Sequence, residues 1–251
     1  MQKTALITGA SSGIGEAFAW QLAKKMDIVI LVARREDRLK KMAERITATG
    51  GRARILAADL TDRAGLQQVV NYIEENRIDL LVNCAGTGLY GQVSRTDPEE
   101  EQQMIQLNVN ALVRLTRAVL PQMLERNEGG IIQAGSILSF YPSPYMSAYA
   151  ATKSFVLSYS EALAAELRQT GVKVSVLCPG STESEFAARA GFKQSRTSSA
   201  EQVARIAIKG YEKGITVITP GFFNRLMSQL PRFLPRRLLT RIMARLFHNR
   251  N

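Results

Sequence analysis

Tyr149 and Lys153 stand four residues apart in Tyr-Ala-Ala-Thr-Lys. On a helix that spacing puts a phenol and an ammonium on one face. A phenol with a free pKa of about 10 neither gives nor takes a proton readily near neutrality, and a fixed neighbouring cation stabilises its phenolate and brings that pKa down. The pair is a candidate acid/base unit with the lysine as its tuner. Tyrosine and lysine at this spacing are common on ordinary helices, so the pair needs company. Ser136 supplies a hydroxyl thirteen residues upstream, at the close of an apolar run. Ser139 lies past that end and is the weaker candidate. Asn108, in Leu107-Asn-Val-Asn110, sits inside a helical pattern. Asparagine there competes for backbone hydrogen bonds, which points to a functional reason for it. Asn110 fits that role less well.

A second constellation could hold an anion. Thr8-Gly9-Ala10-Ser11-Ser12-Gly13-Ile14-Gly15 follows a short β-branched run and opens a helical pattern through Phe18, Leu22 and Met26. Glycines permit a tight turn and close backbone approach, and a helix's first turn offers free N–H groups to a pyrophosphate. The run Ile28 to Ala33 ends in Arg34-Arg35, with no acid to grip a free ribose 2′-hydroxyl. Guanidinium groups bind a 2′-phosphate bidentately, so the residues favour NADP, with Arg34 foremost. The plainer reading, arginines that merely begin a solvated helix, applies to Arg38 and extends to Arg35.

These residues need elements to carry them. Strand patterns cover 3–8, 28–33, 53–57, 79–83, 130–135, 172–177 and 215–219. Helical patterns lie near 13–25, 36–49, 62–76, 99–127, 149–169 and 200–213, with Thr61, Asp97 and Ser199 as cap-like openings. Strands that are continuously apolar and alternate with helices predict an α/β fold, a seven-stranded parallel sheet covered on both faces. Right-handed crossovers make it doubly wound. Its ligand crevice lies beyond the carboxyl ends of the strands, and each motif falls just after a strand.

Taken together, the T-G-x-x-x-G-x-G turn, the Y-x-x-x-K pair, and Ser136 and Asn108 at their separations resemble the classical short-chain dehydrogenase/reductase family over about residues 3–219. The resemblance implies a Rossmann-type fold and a catalytic group of Asn108, Ser136, Tyr149 and Lys153. It makes Ser136 and Tyr149 the donors to a carbonyl oxygen, has Lys153 also bind the nicotinamide ribose, and has Asn108 kink its helix and hold a water near the lysine. It assigns cofactor contacts to Gly9, Ser11, Ser12, Gly13, Ile14, Gly15, Arg34 and Arg35. Asp59-Leu60 matches the pair set against adenine, and Asn83-Cys84-Ala85-Gly86 resembles the family's N-N-A-G, with Cys84 replacing the usual asparagine. Pro179-Gly180-Ser-Thr182-Glu-Ser184 resembles the loop over the nicotinamide, with Ser184 where threonine is usual. The implied chemistry is hydride transfer between NADP(H) and a carbonyl or alcohol. The helices at 99–127 and 149–169 pair in the family into a bundle, which implies a homodimer or homotetramer.

Composition excludes other chemistries. Of 251 residues, the single histidine is His248, so no Ser-His-Asp triad or histidine metal site is available, and no metal is expected. Cys84 and Cys178 lack paired spacing and read as free buried thiols in a reducing cytoplasm. The apolar run beginning at Thr4 leaves no room for a secretion signal, and no run is long enough to cross a bilayer. The net charge is +11, and residues 220–251 hold seven arginines (225, 232, 236, 237, 241, 245, 250) and no acid, leaving 11 − 7 = +4 elsewhere. The basicity belongs to a C-terminal extension, 220–251, appended to a catalytic region, 1–219. Within it Arg236 to Phe247 reads as an amphipathic helix, with Leu238, Ile242 and Leu246 in one stripe and Leu239, Met243 and Phe247 in the next. Membrane-surface contact through 222–247 is one reading, giving a cytoplasmic protein with peripheral attachment. Docking on its own domain or a partner subunit is the other.

A tail adjoining the pocket would suit a lipophilic carbonyl, since the loop from Ser181 to Ser198 mixes Phe186, Phe192 and Arg189 with small residues and aims no charge cluster at a ligand. A non-catalytic NADP-binding regulatory protein would usually lose Tyr149 or Lys153, and both are intact. A nucleic-acid binder would want stacking platforms or a basic stripe on the main domain, so no nucleic-acid partner is expected.

Overall fold

The computed structural model describes residues 2–192 and 197–248. The expectations that fall on residues 193–196 of the pocket loop and on Arg250 lie outside them. Seven parallel strands form one sheet: β1 (Thr4–Thr8), β2 (Ile28–Ala33), β3 (Ala53–Ala57), β4 (Leu80–Asn83), β5 (Gly129–Ala134), β6 (Val172–Leu177) and β7 (Val217–Ile218). Their spatial order is β3-β2-β1-β4-β5-β6-β7, the doubly wound arrangement. Thr8, the last residue of β1, is in register with Val32 on one side and Asn83 on the other. The winding reverses between β1 and β4.

Adjacent residues of β1 face opposite layers. Ala5 and Ile7 pack with α1 (Gly13–Leu22), α2 (Glu36–Ala48) and α8 (Ala200–Glu212). Leu6 packs the other way, with α3 (Arg63–Glu75), α5 (Leu112–Glu125) and the C-terminal half of α6 (Ser147–Glu166). Both faces are buried, which explains the uninterrupted apolar strands.

Two details differ from the sequence reading. The pattern over 99–127 is broken into α4 (Pro98–Ile105), a π-helical segment (Gln106–Ala111) and α5. The buried amide of Asn108 lies in the π segment, and its bonds to Thr87 and Thr152 draw the backbone out of α-helical register. Asp62, not Thr61, caps α3 by accepting from the N–H groups of Ala64 and Gly65. Thr61 instead donates through its hydroxyl (2.7 Å) and its N–H (2.9 Å) to Asp59 Oδ1. Asp97 and Ser199 cap α4 and α8 as expected.

Beyond β6 come α7 (Phe186–Ala190) and, after β7, α9 (Phe222–Gln229) and α10 (Arg236–Phe247). Leu239, Met243 and Phe247 of α10 are buried against Met104, Tyr141, Met146 and Tyr149. The Tyr90 hydroxyl donates to the Phe247 carbonyl, the Tyr141 hydroxyl donates to the Met227 carbonyl, and Tyr145 Oη lies 2.6 Å from His248 Nδ1. The extension is thus docked on its own domain by one of its two apolar stripes, while Leu238, Ile242 and Leu246 stay exposed. Among the described residues no helix is long and apolar enough to cross a membrane.

Gly15 fixes how closely α1 approaches β1, because a Cβ there would lie 2.2 Å from the Gly9 carbonyl oxygen and 2.7 Å from its carbon. Backbone cannot swing aside as a side chain does. Gly15→Ala should therefore destabilise the fold by about 2 kcal/mol or more, read as an earlier urea midpoint.

Candidate functional site

The ends of β1, β4, β5 and β6 surround one cavity of about 590 Å³. Gly9 (φ 71°) and Gly13 (φ 57°) hold left-handed backbone, and a Cβ on Gly9 would lie 2.9 Å from the backbone of Ala85. The Thr8 hydroxyl locks the two strand ends together by accepting the N–H groups of Cys84 and Ala85, each at 3.0 Å. Ser12 precedes α1 in extended backbone without capping it through its side chain, so the free first-turn N–H groups remain for an anion. Gly9, Ser11, Ser12, Gly13, Ile14, Gly15, Ala85 and Gly86 all line this cavity.

Arg34 and Arg35 divide differently from the sequence expectation. Arg35 Nη2 donates to the Oγ atoms of Ser11 and Ser12, both at 2.9 Å, and Nη1 to Glu185 at 2.8 Å. Its fork is built into the glycine turn. Arg34 is more exposed and pairs with Asp59 at 3.3 Å. Arg38 is not merely solvated, since it reaches Glu185 at 2.5 Å. Hydrogen bonds from Arg38 and Arg35 hold the Glu185 carboxyl down at about 2. Partial burial opposes ionisation of Asp59, yet Thr61 and Arg34 keep it below the usual carboxylate range. Asp59, Leu60, Pro179, Gly180, Thr182 and Ser184 also line the cavity. Asn83 does not. As the last residue of β4 its side chain faces α5, donating to the Leu112 carbonyl (3.4 Å) and Thr116 Oγ1 (3.3 Å).

At the cavity floor α6 brings Tyr149 and Lys153 beside Ser136 at the end of β5, all three buried. Ser136 accepts the Leu138 N–H at 3.1 Å, which orients its hydroxyl, and it lies near enough to the Tyr149 phenol to favour its ionised form. Burial pushes the Tyr149 phenol up to about 12 against that influence. The lowering expected from Lys153 is not found: burial dominates, and Ser136 is the group that draws the phenol down. The ammonium lies 5.8 Å from the phenol ring centroid, and burial drops its own pKa to about 8. Desolvation costs more than a single hydrogen bond to the Ala134 carbonyl (2.7 Å) returns. Asn108 stands behind, donating to the Thr87 carbonyl (2.9 Å) and Thr152 Oγ1 (3.0 Å). A Cβ on Gly86 would lie 3.1 Å from Asn108 Oδ1 and 3.3 Å from Lys153 Nζ, so these two groups flank one small space. Ser139 turns inward instead, accepting the Ser136 N–H at 3.1 Å. Burial raises the Cys84 thiol to about 12, so it stays protonated and is no nucleophile.

The outer half of the cavity was largely missed. Tyr141, Met146, Phe223, Met227, Met243 and Phe247 line it. Only the apolar tail hinted at this wall, because its residues lie on three separate stretches of chain.

The chain matches known proteins over most of its length. The family model described as short chain dehydrogenase matches residues 3–195. A short chain dehydrogenase of Pseudocercospora fijiensis is 41% identical over 191 residues, 74% of this chain and 62% of that one. The chain thus spans about three fifths of that relative's length. A short-chain dehydrogenase from Sphingobium yanoikuyae, solved in complex with NADPH, is 33% identical with a TM-score of 0.85, covering 93% of this chain and 97% of that one. A bulky-bulky ketone specific alcohol dehydrogenase from Comamonas testosteroni is 28% identical with a TM-score of 0.80, covering 93% and 95%.

The buried ammonium generates a stability prediction. Since Lys153 is depressed from 10.5 to about 8, the folded state binds fewer protons than the unfolded chain between those values, so its destabilising effect is full below pH 8 and fades as pH rises toward 10.5. Lys153→Met should raise the pH 7 melting temperature while abolishing turnover, the relieved cost being on the order of 2 to 3 kcal/mol. A lower melting temperature at pH 7 would refute the burial argument.

Proposed function

The chain belongs to the short-chain dehydrogenase family and is an oxidoreductase; from that premise we propose that it reduces a lipophilic ketone or aldehyde with NADPH. The observation that carries this reading is that Ser136, Tyr149 and Lys153, all buried, line one cavity together with the glycine turn and a set of apolar side chains. A nicotinamide dinucleotide fits the inner half on structural grounds: glycines where a Cβ would collide, an uncapped helix start, and arginines at the end of β2. When bound, it supplies the hydride. The proposed holders are the glycine turn, Arg34 and Arg35, Asp59 and Leu60, Ala85 and Gly86, and the stretch Pro179 to Ser184. Arg35 is the main anchor for the 2′-phosphate, because its guanidinium already lies within the turn.

The chain's own residues do the rest. Ser136 and Tyr149 donate hydrogen bonds to the carbonyl oxygen and stabilise the negative charge that develops there. Burial keeps Tyr149 protonated near neutrality, the form that can give a proton to that oxygen, and this favours reduction over oxidation. Lys153, while charged, stabilises the phenolate left behind. Proton return is assigned to the small space shared by Lys153 and Asn108. The stacked Phe155 and Tyr159 on α6, with Phe155 exposed, support assembly as a homodimer or homotetramer. The setting proposed is the cytoplasm, with peripheral membrane contact through the C-terminal helices.

NADPH oxidation measured against aldehydes and ketones of graded chain length tests the reading, and kcat/KM should rise with apolar bulk. Tyr149→Phe should lose about 1,000-fold or more in kcat. Binding of NADPH without turnover of any carbonyl would instead favour a regulatory NADP-binding protein. Arg35→Ser should raise the KM for NADPH about 10-fold to 100-fold while barely changing that for NADH, a larger effect than Arg34→Ser produces. In a pH profile, kcat for reduction should hold up to about 8 and fall above it as Lys153 loses its proton.

A further inference from the structure

The extension presents a second face that its docking does not use. Phe222 is 84% exposed, Phe233 80% and Phe223 69%, and Leu226, Leu238, Ile242 and Leu246 are exposed with them. Leu238, Ile242 and Leu246 follow one another at four-residue spacing along α10, one stripe round from the buried Leu239, Met243 and Phe247. Such an array of large apolar side chains in water is a surface awaiting a partner. Arg225, Arg232, Arg236, Arg237, Arg241 and Arg245 are all exposed among them. Residues 220–251 contain no Asp or Glu, and among the described residues none of these six arginines forms an ion pair. Phe223 and Leu246 belong both to this face and to the wall of the substrate cavity, so the cavity opens through the patch.

We propose that α9 and α10 seat the protein on an anionic lipid surface, with the cavity mouth between Phe223 and Leu246 turned toward the bilayer so that an apolar substrate enters from it. Apolar side chains bordered by arginines match the two layers of a membrane interface, acyl chains beneath and anionic headgroups beside. A second copy of the chain does not match, because pairing this face with itself would bring arginines together with no acid to offset them. A nucleic acid would satisfy the arginines and leave the phenylalanines and leucines in water. The route of substrate entry rests on the reductase reading; lipid binding does not.

Co-sedimentation of the full chain with vesicles tests this. Vesicles of phosphatidylcholine with about one third phosphatidylglycerol should retain the protein at least about tenfold better than phosphatidylcholine alone, and salt should weaken the retention. The triple variant Phe222→Ser, Leu226→Ser, Phe233→Ser lies outside the cavity wall, and should lose about tenfold in retention while its melting temperature and its reduction of a short, water-soluble aldehyde stay unchanged. Arg237→Glu with Arg241→Glu should abolish the preference for the anionic lipid. Equal retention on both lipids, retention unaffected by these substitutions, or a wild-type dimer that the triple variant dissociates without any vesicle binding would each overturn the proposal. Retention as expected with no carbonyl turned over would leave lipid docking supported and remove the reductase reading alone.

Discussion

The site depends on the reversal of winding between β1 and β4. Chain leaving β1 turns to one face of the sheet and chain leaving β4 to the other, so no helix covers the carboxyl ends of this strand pair. A gap held open this way must also be held together. Here the Thr8 hydroxyl clamps two successive N–H groups of the β4 end, and Gly9, lacking a Cβ, lets the turn pass within contact of Ala85. Everything that binds or reacts is arranged around that junction.

On one side the requirement is for fixed positive potential without bulk. Uncapped N–H groups, small residues and the Arg35 fork satisfy it. Glu185 faces this fork from the stretch after β6 and closes an ion-paired network with Arg35, Arg38 and Arg189 over the cleft. Each pair is partly exposed and individually weak, so the network orients guanidinium groups more than it stabilises the fold.

On the other side the requirement is dryness. Tyr149, Ser136 and Lys153 are buried by apolar walls to which the C-terminal extension contributes Leu239, Met243 and Phe247. The same burial sets the protonation states, raising the phenol and lowering the ammonium. The proposed proton donor and the docked C-terminal segment thus share one apolar cluster. Tyr90, Tyr141 and Tyr145 hold the last two helices in place through polar tips at the edge of that apolar contact.

Much of this was legible in the amino-acid order. Strand runs and helical periods placed all seven strands within a few residues, because burial on both faces forces continuous apolar runs that local reading detects. Glycine spacing, the Tyr149/Lys153 pair and Ser136 were legible for a similar reason: their geometry is set by one turn or one helix. What the order did not decide was which neighbour each side chain would meet. Asn83 and Ala85 stand two apart in one motif, yet Asn83 bonds to α5 and does not line the cleft while Ala85 does, since β4 ends at Asn83 and the chain beyond it leaves strand geometry. Arg35 rather than Arg34 enters the turn, and Thr61 serves Asp59 rather than capping α3. The phenol's elevated pKa follows from burial, in an apolar cluster that gathers Met104, Tyr141, Phe186 and Leu239 around Tyr149 from separate stretches of chain. Those outcomes are sums over contacts between separate stretches of chain, and only the folded molecule brings such stretches together.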